Sequence, residues 1–209
     1  SFNRDNCSKG IALFTLGLSK KVLLADVLAL PVNYGFANTA FLDSPSTLLV
    51  ILAYTFEIYF DFSGYSDMAM GLGLLFNIKL PVNFNSPYKA CTVKELWQRW
   101  HITLSRFFIQ YVYIPLGGSR KGKLCKWRNI MIVFFVSGLW HGASWHYVLW
   151  GCLNGAYQVI GEWLRPVRER LHQFFHVDVT AASHRLLQMV TTFILVDFSW
   201  IFFRATTRQ

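Results

Sequence analysis

Charge is scarce in this sequence of 209 residues. Asp, Glu, Lys and Arg make up 15% of it, whereas soluble domains contain about 25%. Apolar residues account for 54%, so the composition favours a membrane protein. The polar start, SFNRDNCSKG, does not fit a cleavable signal peptide. Because the chain begins without Met and stops just after an apolar run, we expect a fragment of a longer polytopic protein.

Cysteine pairs with the spacing of metal or redox sites are also missing. The four cysteines are far apart in sequence, and no two of them form a CxxC motif. This spacing predicts neither a disulfide framework nor a zinc site. We therefore expect thiols in the core or in loops and no bound metal.

Basic residues are distributed unevenly. None lies in the 57 residues between Lys21 and Lys79, whereas the chain from Lys79 onward contains 16 basic and 5 acidic residues. The bases form short clusters beside apolar runs, which is typical of cytoplasmic loops. Residues 119–128, with five bases and no acid, are predicted to be such a loop. A nucleic-acid-binding protein could also reach the net charge of +9, but the clustering favours the lipid bilayer as partner, with no nucleic acid.

Apolar runs of about 20 residues, the length of a membrane span, recur along the chain. They predict an all-α, polytopic membrane protein in which residues 1–209 form one transmembrane domain, truncated at both ends. The run over 11–30 carries two lysines and an aspartate in its middle, so it is either a helix entering at the cytoplasmic interface or a broken one. Pro31 should end it. The other predicted spans are 44–60, 64–80, whose small residues suit close helix packing, and 186–203.

A helix with a clear start is predicted over 94–114. Thr92 and Glu95 fit a capping box, in which the threonine caps the helix and the glutamate reaches back. On this helix His101 and Ser105 share a face at i,i+4. That spacing suggests a local hydrogen bond, or a serine–histidine nucleophile that lacks an acid to orient it.

Two carboxylates share a face of the preceding apolar helix. Glu57 and Asp61 are spaced i,i+4 inside the stretch between Lys21 and Lys79 that contains no base. An ionised carboxylate at membrane depth needs a partner or a cavity. We therefore predict pairing with distant arginines, Arg99 and Arg106 being the best candidates, and a proton relay is the alternative.

The segment from Ile130 to Leu164 contains no Lys, Arg or Asp, yet it holds His141 and His146 among three tryptophans. Basic clusters on both sides place its two ends on one side of the membrane. Its 35 residues predict two short or broken helices that meet near His141, on a turn permitted by Gly142. Irregular backbone at that depth is tolerated only where it lines protein or a water-filled cavity. The spacing alone leaves open that each histidine lies in an interfacial aromatic belt, bonded to a carbonyl.

Three long motifs carry a resemblance. They are YFDFSGYSDMAMGLGLLFNIKLPVNFNSPY over 59–88, LWQRWHITLSRFFIQYVYIPLGGSRKG over 96–122 and RNIMIVFFVSGLWHGASWHYVLWG over 128–151. Together they resemble the membrane-bound O-acyltransferase family, and within it the branch of the alginate O-acetylation membrane proteins. That resemblance implies a helical bundle with broken or re-entrant helices around a central cavity. Members are about twice this length, so mostly N-terminal spans would be missing.

The resemblance also implies site residues. His141 matches the family's catalytic histidine, and His101, in the RWH motif, matches a second functional histidine of the bacterial branch. His141 would act as a general base, because a neutral imidazole, with an ordinary pKa of about 6.5, can take the proton of an attacking hydroxyl. An apolar shell would exclude water that would otherwise hydrolyse the donor. His101 would orient or polarise the donor, and His146 lies outside the shared signature.

The implied reaction needs no bound cofactor. Acetyl-CoA or an acyl-carrier thioester would be the donor, arriving at the cytoplasmic mouth where bases of 119–128 could meet its phosphates or acidic carrier. A polysaccharide, or a separate extracytoplasmic acetyltransferase, would receive the acetyl group at the bacterial inner membrane. Three alternatives stay open: D-alanyl transfer to teichoic acid, a transporter or flippase, and a haem protein with His101 and His141 as axial ligands.

Overall fold

The computed structural model of the chain describes residues 3–205, and every regular element in that range is helical. The prediction of an all-α fold is confirmed for these residues. They form two compact units, 3–84 and 85–205. The first contains α1 Arg4–Ser19, a π-helical segment Lys20–Ala25, α2 Asp26–Ala37 and α3 Ser44–Leu75. The second contains α4 Val93–Arg99, α5 Ile102–Phe108, a π-helical segment Ile109–Tyr113, α6 Lys123–His141, α7 Trp145–Trp163, α8 Arg165–Phe174 and α9 Ala182–Arg204.

Glycines allow α1 and α3 to pack backbone against backbone. A Cβ on Gly17 would lie 2.5 Å from the carbonyl oxygen of Gly64, and a Cβ on Gly10 would lie 2.7 Å from that of Gly71. Because these neighbours are backbone atoms, no larger residue fits without separating the helices. The pairing order shows that the two helices run antiparallel. The close packing predicted from the small residues is confirmed.

Pro31 does not end its helix, and that prediction is wrong. Helix α2 continues through Pro31 to Ala37. The residues after the proline are held by packing, because Val32 is fully buried and Gly35 contacts Val50 of α3. Neighbouring helices can compensate for the hydrogen bond that a proline removes. The run over 11–30 is likewise not broken, but its middle widens into the π-helical turn.

Asp61 pairs with Lys21, not with Arg99 or Arg106 as predicted. The Nζ atom of Lys21 lies 2.5 Å from Oδ1 of Asp61 and 3.0 Å from Oδ1 of Asp26. Lys21 is 40 positions from Asp61, about as far as Arg99 and Arg106 are, so separation in sequence could not identify the partner. The partner is set by the packing of the π-helical segment Lys20–Ala25 against α3, which brings Lys21 to Asp61.

The capping box at the start of α4 forms with a difference. The Thr92 hydroxyl accepts the backbone N–H of Glu95 at 3.1 Å, as predicted. The Glu95 carboxylate accepts the N–H of Cys91 at 2.8 Å, one residue farther back than a capping box requires. The same carboxylate binds Arg99 at 2.7 Å, which confirms the predicted i,i+4 pair.

Helices α6 and α7 form an antiparallel hairpin around small residues. A Cβ on Gly138 would lie 2.5 Å from the carbonyl oxygen of Tyr147, so the two backbones touch near the turn. Helix α6 begins at Lys123, so more than half of the predicted loop 119–128 is helical. Within residues 3–205, two helices, α3 and α9, are long and apolar enough to cross a membrane.

Candidate active site

His141 lies where α6 ends. It is the last residue of that helix, and Gly142 follows with φ 156°, a conformation that L side chains rarely adopt. A Cβ on Gly142 would also lie 2.8 Å from the ring of Tyr147. The chain turns here and α7 begins at Trp145. The predicted meeting of two helices at His141 is therefore present, while its depth in a membrane stays a prediction.

Aromatic rings surround the imidazole of His141. Three contact it edge-to-face: Trp140 at 4.9 Å, Phe203 at 5.0 Å and Trp150 at 5.1 Å between ring centroids. The ring of Tyr147 lies 6.2 Å away. Phe203 comes from α9, and no local sequence signal linked it to His141. The environment is apolar on these sides, which limits the access of water to the ring.

His101 occupies a break between α4 and α5, where a single helix over 94–114 was predicted. Its backbone is left-handed, with φ 44° and ψ 54°. Histidine is among the residues that tolerate this conformation better than most. The Ser105 hydroxyl lies 2.9 Å from the Trp97 carbonyl oxygen and donates to it at the end of α4. That proton is used by the backbone, so the geometry does not support a serine–histidine nucleophile.

The structure brings the two predicted catalytic histidines to one tryptophan. The centroid of the Trp140 ring is 6.3 Å from that of His101 and 4.9 Å from that of His141. The two imidazoles are 40 positions apart in sequence; His101 lies between α4 and α5, and His141 is the last residue of α6. Both imidazoles therefore contact the Trp140 ring, and a cavity shared by the two histidines stays a prediction.

His146 has a local partner. Its Nδ1 atom lies 2.8 Å from the hydroxyl of Ser144, in the turn that precedes α7. Which atom donates depends on the tautomer. This contact fits the structural interpretation of His146, which the sequence also favoured.

A hydrogen-bond network behind His141 was missed at the sequence level. The Trp97 indole N–H donates to Asn154 at 3.3 Å, and the Asn154 amide donates to the carbonyl oxygen of Trp150 at 2.9 Å. Asn154 is fully buried. The sequence signal was an amide in the mostly apolar stretch from Tyr147 to Tyr157, where a buried amide needs a partner. The network joins the helix before His101 to the tryptophan that contacts His141.

The site offers acid–base chemistry. Among residues 3–205, no group of three or more His, Cys, Asp or Glu side chains is arranged to hold a metal ion. The groups beside Trp140 that can accept a proton near neutral pH are imidazoles. A base enclosed by aromatic rings, on a turn between two helices, suits proton transfer away from bulk water.

Comparison with known proteins identifies relatives that are named for an acyl-transfer activity. The chain is 45% identical over 204 residues to a peptidoglycan O-acetyltransferase of Helicobacter pylori, covering 97% of this chain and 37% of that protein. It is 41% identical over 210 residues to a probable alginate O-acetylase AlgI of Pseudomonas aeruginosa, covering 98% of this chain and 37% of that protein. A teichoic acid D-alanyltransferase of Streptococcus thermophilus is 33% identical over 179 residues, and the match covers 78% of this chain and 43% of that protein.

The matches with the two O-acetylating proteins include nearly all of this chain, and the match with the D-alanyltransferase includes about three quarters of it. Each match covers less than half of the relative's own length. The sequence model described as the membrane-bound O-acyltransferase family matches residues 3–196, which include both histidines. This confirms the resemblance carried by the three motifs. The chain belongs to the membrane-bound O-acyltransferase family.

Proposed function

We propose that the full-length protein is an acyltransferase that moves an acetyl group from a cytoplasmic thioester toward hydroxyl groups of an extracytoplasmic polysaccharide. The observation that supports this most strongly is the position of His141, in a helix break enclosed by aromatic rings, with His101 in contact with the same Trp140 ring. A neutral imidazole in such a site can accept the proton of a hydroxyl.

His141 acts as the general base in this proposal. The acceptor oxygen attacks the thioester carbonyl carbon, so a C–O bond forms and the carbonyl π pair moves to oxygen while His141 takes the hydroxyl proton. The intermediate then collapses, the C–S bond breaks, and the leaving thiolate takes the proton back from the imidazolium. His101 orients or polarises the donor. The aromatic shell keeps out water, which would compete with the acceptor hydroxyl.

Similarity to the relatives favours acetyl over D-alanyl transfer. The two O-acetylating relatives are 45% and 41% identical to this chain, and the D-alanyltransferase is 33% identical over a shorter match. Acetyl-CoA or an acyl-carrier thioester is the donor, and no cofactor is bound. The acetyl group passes to a polysaccharide directly, or through an extracytoplasmic acetyltransferase.

Membrane vesicles that contain the full-length protein should incorporate label from radioactive acetyl thioester into glycan. The same vesicles, given a carrier loaded with radioactive D-alanine, should incorporate little. Label from D-alanine alone would assign the teichoic acid reaction instead. If the glycan takes up no label but appears on the far side of the vesicle, the protein is a transporter or flippase.

The protein is a multi-pass protein of the inner membrane in this proposal, and residues 119–128 face the cytoplasm. A cysteine at the exposed position Ser119, in a chain whose native cysteines are replaced by serine, should react with a membrane-impermeant maleimide only after the cells are permeabilised. Labelling of the Ser119→Cys protein in intact cells would contradict this topology, because residue 119 would then face the outside of the membrane.

A further inference from the structure

Two buried indole N–H groups in the aromatic cluster around His141 have no acceptor among the described residues. They belong to Trp150 and Trp200, each of which is 1% exposed. Buried donors without a partner are rare in native proteins, and each calls for an explanation such as water, an ion or a role in function. Apolar surroundings alone do not explain the pair, because Trp97 in the same cluster donates its N–H to Asn154.

The two indoles stack next to the candidate base. Their centroids are 5.7 Å apart with planes inclined by 19°. Trp150 contacts His141 edge-to-face at 5.1 Å. Phe203 contacts all three rings, at 5.0 Å from His141, 5.1 Å from Trp150 and 5.3 Å from Trp200. Both unpartnered donors thus belong to the aromatic cluster that encloses the imidazole.

We propose that the indole N–H groups of Trp150 and Trp200 donate to the carbonyl oxygen of the acyl group during transfer. The ligand class is a carbonyl oxygen that becomes an oxyanion when the acceptor hydroxyl attacks. This inference rests on the proposed acyl transfer and names the groups that stabilise its charged intermediate.

Indole N–H groups suit this role chemically. An indole donates one hydrogen bond and accepts none, so it binds a negative oxygen and does not compete for the proton that His141 must take. Donors held in a dry site interact more strongly with a developing charge than donors in water, and they need no reorientation when it forms. The carbonyl π pair moves onto that oxygen as the C–O bond forms, and it returns when the C–S bond breaks.

The surrounding contacts fix both indoles in place. Trp97 packs against Trp150 at 5.5 Å and against Trp200 at 6.3 Å. The backbone carbonyl of Trp150 accepts the amide of Asn154. Trp200 is also packed against Trp100, with centroids 5.1 Å apart. Donors that are positioned before the reaction are what charge stabilisation requires.

Replacing each N–H without changing the ring shape tests the proposal. Benzothienylalanine at position 150 or 200, in which sulfur replaces the indole nitrogen, should lower kcat for acetyl transfer by roughly 10²-fold in full-length protein, with KM little changed. Trp150→Phe and Trp200→Phe should also lower kcat for acetyl transfer. Thermal stability of the benzothienylalanine proteins should be unchanged or higher, because a buried donor without an acceptor has been removed.

Trp127 supplies a matched control. Its indole N–H is also buried without an acceptor in the described part of the chain, but it lies near the start of α6, fourteen residues before His141. Benzothienylalanine at position 127 should leave kcat unchanged. Unchanged kcat at both 150 and 200, with transfer still dependent on His141, would overturn this inference alone. Equal loss at position 127 would also overturn it, and absence of any His141-dependent transfer would overturn it together with the proposed function.

Discussion

Replacing His141 by alanine should abolish acetyl transfer while leaving the protein folded in the membrane. Loss of a general base costs roughly 10²–10⁴-fold in rate, and the proposed mechanism has no second group in contact with His141 that could replace it. Its ring is surrounded by side chains that keep one another packed, since Trp150, Trp200 and Phe203 are in mutual contact. Acetate released from glycan by mild alkali, divided by the amount of folded protein, measures the effect.

His146→Ala is the matched control for that experiment. His146 lies five residues later in the same aromatic segment, and its ring nitrogen is bonded to Ser144. Its removal should leave transfer close to wild type. His101→Asn, which tolerates the left-handed backbone, should lower transfer without abolishing it. Wild-type transfer by folded His141→Ala protein would contradict the assignment of the base.

Replacing Gly138 by valine should strongly reduce the amount of folded protein. The new Cβ would lie 2.5 Å from the Tyr147 carbonyl oxygen and 3.0 Å from the Cα of Val148, so α6 and α7 must separate. Overpacking of a closely packed site typically costs about 1–3 kcal/mol, and here the obstructing atoms are backbone, which cannot change rotamer. The fraction of monodisperse protein in detergent and its melting temperature measure the loss.

The same substitution at Gly161 separates this effect from helix propensity. Gly161 is also in the α6–α7 hairpin, and a Cβ there meets no atom within 4 Å. Gly161→Val should fold at least as well as wild type, because glycine is the poorer helix former. If both variants fold equally well, the contact between the two helices is not what holds the hairpin together.

Local sequence patterns predicted several features correctly. The near absence of charged residues over 130–164, together with Gly142, predicted the turn that holds His141. Both signals are local, because charge and tolerance of a positive φ are properties of the residues themselves. The Thr92 cap and the glycine-rich packing face were likewise local signals. The family resemblance then identified both histidines, which spacing alone had left open.

Features that depend on packing between distant segments were not predictable in this way. The partner of Asp61 is fixed by how the π-helical segment Lys20–Ala25 packs against α3, and the approach of Phe203 to His141 by how α9 packs against α6. The break at His101 was missed because 94–114 has an uninterrupted helical pattern and no glycine or proline near residue 101. A histidine in the left-handed region gives no sequence signal of that kind.

Helix α3 is too long for the layer it would cross. Its 32 residues extend about 48 Å, whereas the hydrocarbon core of a bilayer is about 30 Å thick. Even at a tilt of about 40°, the upper end of the observed range, the hydrocarbon takes up only about 26 residues. At least about one and a half turns must therefore stand among the lipid headgroups. If the surplus lies at the carboxyl end, Asp67 and its partner Lys20 sit close to that boundary, where their desolvation is far less costly than at mid-membrane.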